Sequence, residues 1–141
     1  MNTWILCPNL WGARLFVTDN FDEVPRFLRE LPRPKVRLRH EDFDTDDDIP
    51  ELTVDPKDHD AEVKVAEQYS EQLSHFLEHA CEQNQFDRLV LCAEAQLLGI
   101  LKNKLGSKCR ARVIGTIQED LYEVNETDLA DYVKGFKNKA A

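Results

Sequence analysis

The sequence predicts a single α/β domain, a mixed sheet of about five strands with helices packed on it. Three observations carry that prediction. From Ala66 onward, Tyr69, Leu73, Phe76, Leu77 and Ala80 recur at three- and four-residue intervals, the apolar stripe of a helix ending near Gln83. Leu89-Val90-Leu91-Cys92-Ala93 is an unbroken apolar run, as a strand covered on both faces requires. Leu97, Leu98, Ile100 and Leu101 mark a second amphipathic helix, stopped by Gly106 and followed by a strand from Arg112 to Ile117. Strand, crossover helix and strand imply a parallel pair with a right-handed connection.

The remaining elements follow from local chemistry. Thr3 to Cys7 and Ala13 to Thr18 are expected to pair antiparallel across Pro8-Asn9-Leu10-Trp11-Gly12, a set of turn-forming residues. In the second of these strands Arg14 alternates with Ala13, Leu15 and Val17, so it emerges on the opposite face among apolar neighbours. Val24 to Leu31 is read as a third strand with Pro25 at an edge or bulge, although Val24, Phe27, Leu28 and Leu31 also fit one helical face. Asp55-Pro56 is a start signal for the long helix, a carboxylate cap before a proline with a suitable φ. Asn84-Gln85 end it.

Leu121 to Val124 reads as a short strand or turn. Asn125 caps a last helix carrying Leu129, Tyr132, Val133 and Phe136 on one face, with Lys134, Lys137 and Lys139 towards its negative end. The expected core is Leu6, Phe16, Leu73, Phe76, Val90, Leu91, Leu98, Leu101 and Ile114.

Residues 1–141 are enough for one domain with a real core, and 42% hydrophobic with 32% charged residues is ordinary for a globular protein. No run approaches the roughly 18 apolar residues of a membrane span, and Met1 to Cys7 has no basic leader. The expectation is a cytoplasmic chain with no membrane partner. Cys7, Cys81, Cys92 and Cys109 are scattered, which predicts reduced thiols rather than a zinc site, with Cys7 and Cys92 acting as small buried hydrophobes.

The net charge of −9 argues against general nucleic-acid binding, but its distribution is uneven. Arg26 to Arg39 holds six basic residues and one acid; Glu41 to Asp60 holds ten acids and one lysine. Lys102 to Arg112 holds five basic residues and no acid.

Within the first patch, Arg33-Pro34-Lys35-Val36-Arg37-Leu38-Arg39 alternates strictly. If the segment is extended, Arg33, Lys35, Arg37 and Arg39 project from one side at about 6.6 Å intervals, near the spacing of phosphates along a strand. They are the candidate nucleic-acid-binding residues; a solvated edge that resists pairing is the commoner meaning of such a stripe.

Other motifs carry less. His75-Phe76-Leu77-Glu78-His79 matches an inverted zinc-protease signature, but with Leu73 and Phe76 inward these polar residues fall on the wet face. His75 and His79 are therefore expected to bind metal only adventitiously, and no metal site or cofactor is expected. Asp42-Phe43-Asp44-Thr45-Asp46 opens like a calcium loop, yet Asp47 stands where glycine is needed and Thr53 where glutamate is needed. No glycine-rich phosphate loop is present. Ala93-Glu94 and Gln118-Glu119-Asp120 would gather at the carboxyl ends of parallel strands, where an unrecognised hydrolase site would form.

The order of elements is similar to a known family. Trp4-Ile5-Leu6, Gly12-Ala13-Arg14-Leu15-Phe16, Asp55-Pro56-Lys57, Ala61-Glu62, Phe86-Asp87-Arg88-Leu89-Val90-Leu91, Leu98-Gly99-Ile100-Leu101 and Ile117 to Leu121 carry the likeness. The chain resembles the bacterial host attachment protein family, named for attachment to host cells. Through it the chain resembles the middle domain of archaeal and eukaryotic peptide-release factors. That resemblance implies three strands, a catalytic loop, a long helix, then strand, helix and strand. It also implies the ribosome or RNA as partner; because the catalytic loop is replaced, the role expected here is non-enzymatic. The release-factor loop carries Gly-Gly-Gln, whereas Pro32 to Asp55 contains neither glycine nor glutamine and is acidic, so residues 33–54 are a variable charged loop in its place. The alternatives are a protein-interaction module whose acidic loop docks on a basic protein, and the hydrolase above.

Overall fold

The computed structural model describes residues 2–38, 52–54 and 60–136, with 36–38 and 52–54 as backbone alone. The described residues form seven strands: β1 (Thr3–Asn9), β2 (Gly12–Thr18), β3 (Arg26–Leu31), β4 (Val36–Leu38), β5 (Leu52–Val54), β6 (Arg88–Cys92) and β7 (Val113–Ile117). The helices are α1 (Ala61–Glu82), α2 (Ala95–Lys104), α3 (Ser107–Arg110) and α4 (Glu126–Val133), with a 3-10 turn over Lys134–Phe136. Five strands form the main sheet in the order β3-β2-β1-β6-β7, while β4 and β5 make a separate pair.

The sheet is mixed, as expected. β1 and β2 pair antiparallel with Asn9 opposite Gly12, so only Leu10 and Trp11 span the hairpin. Asn9 Oδ1 holds that turn by accepting the amides of Trp11 at 2.8 Å and Gly12 at 3.0 Å. β1 and β6 are parallel, and so are β6 and β7. Both outer strands depart from regular register, β3 against β2 at Leu15/Phe16 and β7 against β6 at Leu89/Val90. Leu28 and Ile114 are the residues left without an opposite number, which marks each as a bulge on an edge strand.

Strand alternation divides the core in two. Trp4, Leu6, Leu15, Leu89 and Leu91 face α1, α2 and α3, packing on Tyr69, Leu73, Leu77, Leu97, Leu101 and Cys109. Ile5, Cys7, Phe16, Val90 and Cys92 face the other way, onto Phe21, Leu121, Leu129, Val133 and Phe136. The result is three layers with β1 and β6 at the centre. All four cysteines are free and buried.

Several expectations need correction. Phe76 and Ile114 are half-buried rather than buried. Phe76 stacks on Trp4 at 5.9 Å but is capped from outside by Arg29, 4.8 Å from its ring, and Ile114 occupies the edge bulge. Tyr132, assigned to the inner face of the last helix, is 42% exposed. The short α3 and the β4–β5 pairing were not anticipated; three- and four-residue elements are too short for a period to show. The long helix is Ala61–Glu82 with Asp60 at its N-cap, and the Asp55-Pro56 signal lies outside the described residues. Asn84 ends it at a positive φ of 55°, a conformation asparagine tolerates. Asn125 caps α4 as expected, accepting the Asp128 amide at 2.8 Å. Lys137, Lys139 and the calcium-like stretch Asp42–Asp46 fall outside the described residues.

Candidate nucleic-acid interface

The cationic segment leaves the sheet at the end of β3 and crosses α1. Pro34 is buried while Arg33 and Lys35 on either side of it are exposed, and the chain bends at Lys35. Two residues a turn apart on α1 hold it there. Tyr69 donates its hydroxyl to the Pro32 carbonyl at 3.0 Å. Gln72 makes two bonds with its amide, Nε2 to the Arg33 carbonyl at 3.0 Å and Oε1 from the Lys35 amide at 3.1 Å. A side-chain amide used this way mimics a neighbouring strand, satisfying backbone groups that no sheet reaches. Beyond it, Arg37 lies in β4, which pairs parallel with β5; Arg39 lies outside the described residues.

Beside this segment is a polar cluster at the carboxyl end of the parallel strands. Tyr122 donates its hydroxyl to Glu30 Oε1 in a short bond. Arg14 reaches the Tyr122 carbonyl at 3.2 Å and lies over the Phe27 ring at 4.9 Å. Burial, then the bond to Glu30 and its charge, raise the Tyr122 phenol above its ordinary range, while Arg33 and Arg14 pull it back. Tyr69 is raised too, chiefly by burial. Both hydroxyls therefore act as neutral donors near pH 7. Gly12 permits the arrangement: a Cβ there would meet the Tyr122 hydroxyl at 3.0 Å. Trp11 stands next to it at the hairpin tip, 43% exposed.

Other candidate groups are engaged in the fold. Glu94 caps α2, its carboxylate accepting the amides of Leu97 at 2.7 Å and Gln96 at 3.1 Å. Asp120 Oδ1 accepts the Tyr122 amide at 3.1 Å, and the Glu119 carboxylate raises the Tyr132 phenol above its ordinary range. His75 and His79 are exposed on α1, with His79 Nε2 against the Gln83 amide at 3.2 Å. Glu78 between them accepts the Gly106 amide at 2.6 Å and ties α1 to the turn after α2. Among the described residues, no three His, Cys, Asp or Glu side chains are grouped to hold a metal. Sequence reading missed Gln72, Tyr122 and Glu30. Tyr69 and Gln72 share a helical face, but nothing local tells a core tyrosine from one that also donates to a distant carbonyl.

The central parallel strands, the antiparallel β1–β2–β3 unit and the long α1 before β6 define an α/β domain of release-factor type. The chain belongs to the family described as bacterial archaeo-eukaryotic release factor family 12, whose model matches residues 2–133. No curated protein matches it.

Proposed function

We propose that this chain is a release-factor-like domain that binds RNA, at the ribosome or in another ribonucleoprotein, without itself catalysing peptide release. The observation that supports this most is the clamp of Tyr69 and Gln72 on Pro32, Arg33 and Lys35. Cations held on a fixed backbone lose less freedom on meeting phosphate than cations on a loose loop. Peptide release is left out because Pro32 to Asp55 has neither glycine nor glutamine to position a water. A cytoplasmic location goes with this role, and among the described residues no helix is long and apolar enough to cross a membrane. Attachment to host cells would then be an indirect outcome.

The test is fluorescence anisotropy of a labelled oligouridine at several salt concentrations. Replacing Arg33, Lys35, Arg37 and Arg39 by alanine weakens binding and flattens its salt dependence, each lost phosphate contact removing roughly 0.7 from the logarithmic slope. Neutralising Asp44, Asp46, Asp47 and Asp48 to asparagine strengthens binding, because the acidic run competes for the same cations. No RNA affinity at low salt in either the native chain or the asparagine variant overturns the proposal. A nuclease-resistant protein partner in a pull-down would favour docking through the acidic loop instead.

A further inference from the structure

The second basic patch has no part in the reading above, and the fold gives it a shape. β7 is an edge of the main sheet, and all five of its residues are half-exposed. Between it and the α2–α3 turn runs an open groove of about 310 Å3. Leu105, Val113, Ile114 and Thr116 line it, with Lys102 and Arg110 among the lining residues. Arg110 is held in place by its own Nη2, which donates to the carbonyls of Leu105 at 2.9 Å and Asn103 at 3.3 Å. Those partners are neutral, so the guanidinium charge is not cancelled by them. From Ala95 to Gln118 the sequence has five cations and no acid, in a chain whose net charge is −9.

We infer that the β7 groove is a docking site for an extended acidic peptide of a partner protein, laid along the sheet edge with alternate side chains apolar and acidic. Three features select that occupant. An edge strand offers backbone donors and acceptors to another strand, which favours an extended polypeptide. In such a strand one set of side chains turns to the α2–α3 side, where Lys102 and Arg110 stand beside Leu105 and Val113, and the other to the side of Ile114, which packs on the α4 core. Single-stranded RNA would satisfy the rim but set its phosphates and sugars against an apolar floor. The bulge at Ile114 interrupts the ladder, which limits pairing to a short stretch and opposes open-ended stacking of copies of this chain.

The experiment selects from a random peptide library displayed on phage, using the whole chain as bait, with Lys102→Glu as the counter-bait. Lys102 is exposed and its replacement leaves the core untouched; a matched thermal melt checks this. The expected result is enrichment of peptides alternating Asp or Glu with apolar residues. Their affinity should fall about fivefold or more in Lys102→Glu, the order expected for reversing a rim charge. Amide exchange over Val113–Ile117 should slow when the peptide binds. Enriched peptides without acidic excess, equal affinity for the variant, or unchanged exchange would each overturn the inference. So would protection of Val113–Ile117 by self-association, or loss of oligouridine binding in Lys102→Glu, which would give the groove to a second copy or to RNA. Peptide binding should survive replacement of Arg33 and Lys35 by alanine, so it stands or fails separately from the RNA proposal.

Discussion

The Phe136 ring occupies the space a side chain at position 115 would need. A Cβ built on Gly115 would fall inside the van der Waals surface of that ring, closest to Cε1. Gly115 lies opposite Val90 in β7, on the face covered by α4 and the turn after it. The last aromatic of the described residues thus closes the second core by setting one edge of its ring, Cδ1, Cε1 and Cζ, against bare backbone.

Gly115→Ala should therefore destabilise the fold by roughly 1–3 kcal/mol, the usual cost of overpacking. Phe136→Ala alone leaves a gap and costs on the order of 2–4 kcal/mol, towards the lower end because the ring lies at the edge of the core. The double variant should be more stable than the sum of the two predicts, since the methyl then enters space the ring has left. Urea melts of the four proteins measure this. Additive costs would mean the two residues do not share that space.

Gln72→Ala removes both bonds to the Pro32–Lys35 backbone while leaving every cation in the sequence. Stability should fall by about 0.5–1.5 kcal/mol, as for loss of ordinary exposed hydrogen bonds. Oligouridine affinity should drop with no change in salt slope, because the charges remain and only their fixed placement is lost. A flattened slope would indicate that phosphate contacts themselves were lost.

Base should unfold the protein through its buried neutral acids. Burial, then Glu78 and Cys81, push the Cys109 thiol up to about 12, and Tyr69 and Tyr122 are raised as well. A group whose folded pKa exceeds its unfolded value contributes stability that is complete below the unfolded pKa and is lost as pH rises through the folded one. Stability should hold from pH 7 to about 8.5 and decline from there, first through Cys109 and then through the tyrosines above about pH 10. Absorbance at 295 nm should show tyrosinate appearing at higher pH in the folded chain than in urea. Cys109→Ala should lessen the loss of stability between pH 9 and about 10.

Asn125→Ala deletes the acceptor for the Asp128 amide. The expected cost is about 1 kcal/mol, with Asn125→Asp close to native because a carboxylate also caps. Since α4 carries Leu129 and Val133 over the second core, the loss should appear in the global thermal transition. A separate early transition would instead show α4 fraying on its own.

Much of the fold was legible because its signals are local and repeated. The stripe from Ala66 to Ala80, the apolar run of Leu89 to Ala93 and the cap at Asn125 each state an element and its buried side within a few residues. Val90 and Leu91 are fully buried on opposite faces of β6, as that run requires. Arg33 and Lys35 are exposed on either side of a buried Pro34.

What only the tertiary structure decided depends on partners far along the chain. Gln72 meets Arg33 across 39 positions, Tyr122 meets Glu30 across 92, and Arg14 meets the Tyr122 carbonyl across 108. No periodicity encodes such pairings, because a polar side chain on a helix or turn looks the same whether it faces water or a distant carbonyl. The bulges at Leu28 and Ile114 were equally hidden, since the sequence of an edge strand does not show where its neighbour's register slips. By itself the sequence determined the elements and the apolar faces they must bury, because burial is set by side-chain chemistry repeated at the helix or strand period. Which polar groups then meet is set by how those faces close on one another, and that is a property of the packed fold.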